Sequence, residues 1–183
     1  GENLVLKAHP NENEYSLREL LNNTVAHMPW LGLGMDLALG SKVDVKADNN
    51  KMMFLPKYMY EIYSESAVTI DGKKQLLVLK EHTLIKGINH TAETSLWTSP
   101  GFIFWSLFLI SVILTIAKVR FLTKLWDGLL LLILGMLGIT IFYLWFGTDH
   151  VTMRPNFNVL WANPLYVFFI IPLMSKTLHS RLN

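Results

Sequence analysis

Two stretches of this chain lack charged side chains for long enough to cross a lipid bilayer, and they constrain its fold more than any other feature. Residues 101–117 (GFIFWSLFLISVILTIA) and 128–148 are uncharged throughout. No water satisfies backbone N–H and C=O groups inside lipid, so a lone segment crosses only as a helix. At about 1.5 Å rise per residue, roughly 20 residues span a hydrocarbon core about 30 Å thick. The sequence predicts spans at about 101–117, 125–146 and 159–174. The third contains Asn163-Pro164 and Pro172 and is either a full span or a broken, re-entrant one. Pro100 suits a first helical turn, and Trp97, Trp105, Tyr143, Trp145 and Phe146 are candidate interfacial anchors. Gly128, Gly135 and Gly138 either line a close helix contact or are simply tolerated in lipid.

The composition changes character at Ser99-Pro100. Residues 1–99 hold ten Lys+Arg and twelve Asp+Glu, as a water-facing domain does, whereas residues 100–183 hold six and two. The basic residues do not gather on one face, which excludes a nucleic-acid footprint. They flank the spans instead. Lys118, Arg120 and Lys124 lie between the first two spans, and Lys176 and Arg181 follow the third. Positive residues favour the cytoplasmic side, so residues 1–99 and the loop 147–157 are expected to face outward. The absence of cysteine excludes disulfides, thiolate metal sites and a cysteine nucleophile within these residues. The first residue is Gly, with no signal-peptide pattern behind it, and the N-terminus is expected to be internal or processed.

The expected fold is an α+β segment (helices plus a β-hairpin, residues 1–99) followed by an α-helical transmembrane bundle (residues 100–183). Leu17, Leu20, Leu21, Val25 and Met28 recur at helical spacing, predicting a helix over 15–28 capped by Asn13 or Ser16 and ended by Pro29-Trp30. Residues 31–39 form a short buried helix or a tight turn, 44–51 a loop, and 57–64 a helix started by Pro56. Strands 67–70 and 76–79 flank the turn signal Asp71-Gly72-Lys73-Lys74. Residues 82–98 are a polar connector.

The polar groups of the membrane half concentrate after the second span. His150 is a candidate general base or headgroup ligand, and Arg154 a candidate phosphate ligand. Asn156, Asn158 and Asn163 fall where a helix enters the bilayer. Unpaired amides are costly there, so they should pair with backbone, with each other or with a lipid carbonyl. An ordinary solvated loop with capping asparagines explains the same residues. Asp36 and Asp44 form either a carboxylate pair or, more simply, caps and turns. His9, His27, His82, His90 and His179 show no metal-ligand spacing and are assigned to surface or packing; no metal or cofactor is expected. Asp127 is expected at the interface beside Lys124, and the sequons at Asn22 and Asn89 carry no weight on their own.

Several stretches taken in order say more. Ser16-Leu17-Arg18-Glu19-Leu20-Leu21 precedes Trp30-Leu31-Gly32-Leu33-Gly34-Met35-Asp36-Leu37-Ala38-Leu39-Gly40, then Asp44 and Met53-Phe54-Leu55-Pro56-Lys57-Tyr58. After two spans come Thr148-Asp149-His150 and Asn156-Phe157-Asn158-Val159-Leu160-Trp161-Ala162-Asn163-Pro164-Leu165. The set resembles the Lnb-like lipoprotein N-acylation transferases of Gram-negative bacteria, which join a periplasmic domain to an Lnb-like transmembrane domain. The resemblance implies transfer of an acyl chain to the N-terminal diacylglyceryl-cysteine of lipoproteins, at the outer face of the inner membrane. It implies a cysteine nucleophile, lying outside this chain, that forms a thioester. The implied partners are a membrane phospholipid and a lipoprotein N-terminus. Arg18, Trp30, Asp36 and Asp44 would support the active site. His150, Arg154, Asn156, Asn158, Trp161 and Asn163 would receive the lipid-modified substrate. The alternative is a non-catalytic envelope anchor or scaffold. A small transporter is disfavoured, because the first two spans hold no ionisable residue at mid-depth.

Overall fold

The computed structural model of the chain describes residues 4–70, 72–85 and 95–182, without the side chains of residues 174 and 176–182. It divides into two compact units, Gly1–His27 with Val43–Ala92 and Met28–Lys42 with Glu93–Asn183. The division does not fall at Ser99-Pro100, because residues 28–42 pack with the C-terminal unit.

In the first unit, helix α1 (Leu17–Thr24) begins at a reciprocal capping box. The Ser16 hydroxyl accepts the Glu19 amide at 3.2 Å, and the Glu19 carboxylate accepts the Ser16 amide at 2.6 Å. Ser16 is thus the cap, while Asn13 occupies a left-handed turn conformation at φ 61°. The helix stops at Thr24, short of the expected Met28. Helix α3 (Asn49–Met52) is capped by Asp48 within the stretch expected to be a loop. Helix α4 (Pro56–Glu65) starts at its proline as the sequence predicts. Leu20, Ala47, Met52, Leu55 and Ile62 form the buried core between these helices. Ser66 at the end of α4 is fully buried, yet its hydroxyl donates to Ile62 O at 2.6 Å and accepts the Lys7 amide at 3.0 Å.

Strands β1 (Leu4–Val5), β2 (Ala67–Ile70) and β3 (Lys73–Leu76) form an antiparallel sheet in the order β1-β2-β3. Ile70 pairs with Lys73, so the hairpin loop is the two residues 71 and 72, with Gly72 at φ 74°. Asp71 lies outside the described residues. The second strand is therefore 73–76, not the predicted 76–79. The tight turn draws Lys73 and Lys74 into the ladder, and because every residue of β3 is exposed, no apolar alternation is needed there. The N-terminal strand had no periodic signal.

The Glu19 carboxyl is held below its ordinary range, first by the Ser16 amide, then by the Ser16 hydroxyl and by Lys46. A carboxylate whose folded pKa is lowered stabilises the fold above its unfolded pKa, and that contribution disappears as pH falls through the folded value. Protection of the α1 amides, measured relative to their intrinsic exchange at each pH, is therefore expected to fall on acidification from about pH 6 to about pH 3. The Glu19→Gln variant should show a flatter dependence over the same window, and an unchanged one would contradict the box.

In the second unit, helix α2 (Pro29–Ala38) replaces the expected choice between buried helix and turn, and none of its residues is fully buried. Pro29-Trp30 does not end α1, which stops at Thr24; Pro29 occupies the first turn of a new helix. Helices α5 (Pro100–Ile116), α6 (Arg120–Phe146) and α7 (Tyr166–Leu182) follow. Among the described residues, α6 is the one helix both long and apolar enough to cross a membrane, and only 17% of its apolar window is buried. Helix α5 is apolar too, but its 17 residues reach about 25 Å. The third helix starts at Tyr166, not at residue 159, because Phe157–Leu160 is a 3₁₀ turn and Pro164 keeps Asn163 from the α region. The predicted basic side chains Lys176 and Arg181, with His179, lie outside the described set, as do His90 and the Asn89 sequon.

Helix α6 packs against α7 and the turn before it. Gly135 and Gly138 are buried in that contact, resolving the sequence alternative in favour of close approach. A Cβ at Gly135 would lie 2.6 Å from Val167 Cγ2, and one at Gly138 would lie 2.7 Å from Pro164 N.

Candidate functional site

The polar loop after α6 is built against the end of α2. The last carbonyls of a helix have no partner within it and must find one elsewhere. Met35 O receives the Leu39 amide at 2.8 Å. The next three are met by two carboxamides from the loop. Asn156 Nδ2 donates to Leu37 O at 2.8 Å and Ala38 O at 3.0 Å. Asn158 Nδ2 donates to Asp36 O at 3.1 Å and Leu37 O at 3.2 Å. Their oxygens are also used, Asn156 Oδ1 by the Asn158 amide and Asn158 Oδ1 by Trp161 Nε1, each at 3.0 Å. Asn156 is only 1% exposed. A backbone seam extends the clamp, with the Gly40 amide on Thr152 O at 2.9 Å and the Ser41 amide on Pro155 O at 2.7 Å. A Cβ at Gly40 would lie 2.6 Å from Arg154 N, so glycine permits the seam.

The clamp fixes a short frame. Gly147 ends α6, and the Thr148 hydroxyl returns to Leu144 O at 2.8 Å. Val151–Met153 and Phe157–Leu160 are 3₁₀ turns, joined through a cis Arg154-Pro155 bond. Asn163 Oδ1 accepts the Leu165 amide at 2.9 Å and shapes the turn into α7. His150 is exposed, Arg154 is half-buried, and Trp161 is 47% exposed. The loop therefore displays an imidazole, a guanidinium and an indole on a frame held by buried amides.

The other candidate residues are placed differently. Arg18 Nε donates to Asp44 Oδ1 within the first unit. Asp36 lies on α2 and contributes its backbone carbonyl to the clamp, so Asp36 and Asp44 belong to different compact units. Trp30 Nε1 donates to Thr98 O at 2.6 Å, and its ring lies tilted on Phe104 at 6.4 Å between centroids. Trp30→Phe, which keeps the ring contact, is expected to cost under about 1 kcal/mol. Trp30→Ala should cost about 2 kcal/mol, roughly half the value for a fully buried ring. Thermal unfolding of both variants checks this split, and equal losses would contradict it.

The first unit also holds a cavity of about 390 Å³ beside His9, Tyr58 and Glu61. His9 Nε2 lies 3.0 Å from Glu61 Oε2, while its Nδ1 accepts the Asn11 amide at 3.1 Å. Both ring nitrogens are engaged by the fold, so no lone pair is left to act as a base. His9 ties the N-terminal segment to α4, the packing role among the two, surface or packing, that the sequence left open. Among the described residues, no group of three or more metal-ligating side chains is gathered.

The model of the Lnb transmembrane domain matches residues 91–183, just over half of the chain, covering α5 to α7 and the clamped loop. The chain belongs to the Lnb transmembrane domain family. No match was found among curated proteins or among solved structures. For an Lnb-family chain, the long uncharged runs were enough to locate the membrane half. The clamp was not visible, because its partners lie 118 to 122 residues apart in sequence.

Proposed function

We propose that this chain serves as the membrane part of an Lnb-type lipoprotein N-acyltransferase, acting on the N-terminal diacylglyceryl-cysteine at the outer face of the inner membrane of a Gram-negative cell. The match of residues 91–183 to the Lnb transmembrane domain carries the reading. The cationic turn Lys118, Arg120, Lys124 supports an orientation with this turn cytoplasmic and loop 147–157 periplasmic.

In this reading, an acyl thioester is formed on a cysteine that is not among these residues. The lipoprotein's α-amine attacks the thioester carbonyl. An amide C–N bond forms, the C–S bond breaks, the thiolate leaves, and a base takes the proton lost by the amine. His150 and Arg154 contact the substrate's ester and glycerol oxygens, and Trp161 lies against its lipid. Asn156, Asn158 and Asn163 act through the loop by holding its shape. Arg18, Trp30, Asp36 and Asp44 support the enzyme from the remaining elements.

Mass spectrometry of lipoprotein N-termini tests the proposal in a strain deleted for the complete gene. Restoring the gene should restore the N-acylated form. His150→Ala with Arg154→Ala should lower it at least about tenfold, the scale of one lost charged contact, with protein amount unchanged. Undiminished N-acylation in the deletion strain would favour the second reading, a non-catalytic envelope anchor or scaffold, which the lack of cysteine in this sequence supports.

A further inference from the structure

The turn between α5 and α6 carries a feature that acyl transfer does not use. Thr115, Lys118, Arg120, Thr123 and Lys124 line a concavity of about 480 Å³. Three of the five are cations and none is acidic. Among the described residues, none of the three cations forms an ion pair, and Asp127, one helical turn beyond Lys124, makes none with it. The 27-residue helix α6 begins here without a side-chain cap, which adds the positive end of its dipole.

The walls are fixed. Trp126 Nε1 donates to Ser111 Oγ at 2.8 Å, and the Thr123 hydroxyl faces Leu114 O at 3.2 Å and Val119 O at 3.1 Å. The Thr115 hydroxyl donates to Ser111 O at 2.8 Å. With both hydroxyl protons used by the protein, recognition falls to the three cations. A second concavity, of about 230 Å³, lies along α5 and is lined by Ser111, Val112, Thr115 and Ile116, so the two share Thr115. Ile113 and Ile116 on the same helix are 62% and 74% exposed.

A cationic recess next to an apolar groove at the end of membrane helices matches one ligand chemistry, a phosphodiester attached to acyl chains. We propose that the α5–α6 turn binds the headgroup of an acidic membrane phospholipid, with Lys118, Arg120 and Lys124 around the phosphate and an acyl chain along α5. A free phosphate would use the recess without the groove. The inference needs the membrane assignment but not the acyl-transfer reading.

The test titrates the complete purified protein in detergent with phosphatidylglycerol, phosphatidylcholine and inorganic phosphate, following bound lipid by native mass spectrometry and midpoint by thermal unfolding. Phosphatidylglycerol should bind at least about tenfold more tightly than phosphatidylcholine, and inorganic phosphate should give no comparable shift. Arg120→Gln and Lys124→Gln should each weaken phosphatidylglycerol about fivefold, while Lys124→Arg retains it. Each single variant keeps two cations to hold the direction of insertion. Equal binding of the two lipids, or an unchanged preference in both glutamine variants, would overturn the site. Phosphate binding as tight as phosphatidylglycerol would overturn its assignment to lipid.

Discussion

Replacing Asn156 with Asp is expected to destabilise the Lnb-family unit more than replacing it with Ala. Asn156 is almost wholly buried and spends both amide protons on Leu37 O and Ala38 O. Alanine leaves Ala38 O without its side-chain donor and the Asn158 amide without its acceptor. At about 1–3 kcal/mol for each of these two groups left unsatisfied, the loss should be roughly 2–6 kcal/mol. Aspartate has the same shape but no donor when ionised, so it sets a carboxylate against helix carbonyls that already carry negative charge. Asn158→Ala should couple to Asn156→Ala, because Asn156 Oδ1 holds the Asn158 amide. Thermal unfolding of the single and double variants should give a coupling of about 0.5–3 kcal/mol. Additive losses, or an Asp variant as stable as wild type, would contradict the clamp.

The second large effect is expected at Gly138. Alanine normally favours a helix over glycine by about 1 kcal/mol. At Gly138 the sign should reverse, because the added methyl would meet the Ala162 carbonyl and lie 2.7 Å from Pro164 N. Those are backbone atoms, so no rotamer change relieves the contact and α6 must move away from the turn before α7. A cost of about 3 kcal/mol, at the upper end of overpacking, is expected. Gly34 on α2 supplies the contrast, since a Cβ there meets nothing within 4 Å. Gly34→Ala should therefore be neutral or stabilising by up to about 1 kcal/mol. Unfolding midpoints that move in the same direction for both variants would contradict this packing.

Local signals carried much of the fold. Ser16, one of two candidate caps, marked the start of α1, Pro56 that of α4, and the hairpin turn kept its place although the second strand moved toward it. Absence of charge located α5 and α6. What failed to show was tertiary. Pro29 reads in sequence as a helix terminator, but α1 has already stopped at Thr24 and Pro29 begins α2. Asn156 and Asn158 look like residues of a solvated loop until the end of α2 is brought against them. The late start of α7 was foreshadowed by Asn163-Pro164, but the apolar residues around it masked the boundary. In the candidate site, the sequence grouped the residues of one loop without separating the amides that hold it from the side chains it displays.

In the proposed function the loop clamped on α2 faces the lipoprotein substrate, and a photo-crosslinking residue at Val151 would report that contact. Val151 is exposed and lies beside His150, so the substitution disturbs neither the clamp nor the displayed side chains. In cells making the complete protein, irradiation should join position 151 to the N-terminal peptide of lipoproteins, identified by mass spectrometry. The same residue at the exposed α6 position Ile133 should give no such adduct. Lipoprotein adducts no more frequent at 151 than at 133 would contradict the account.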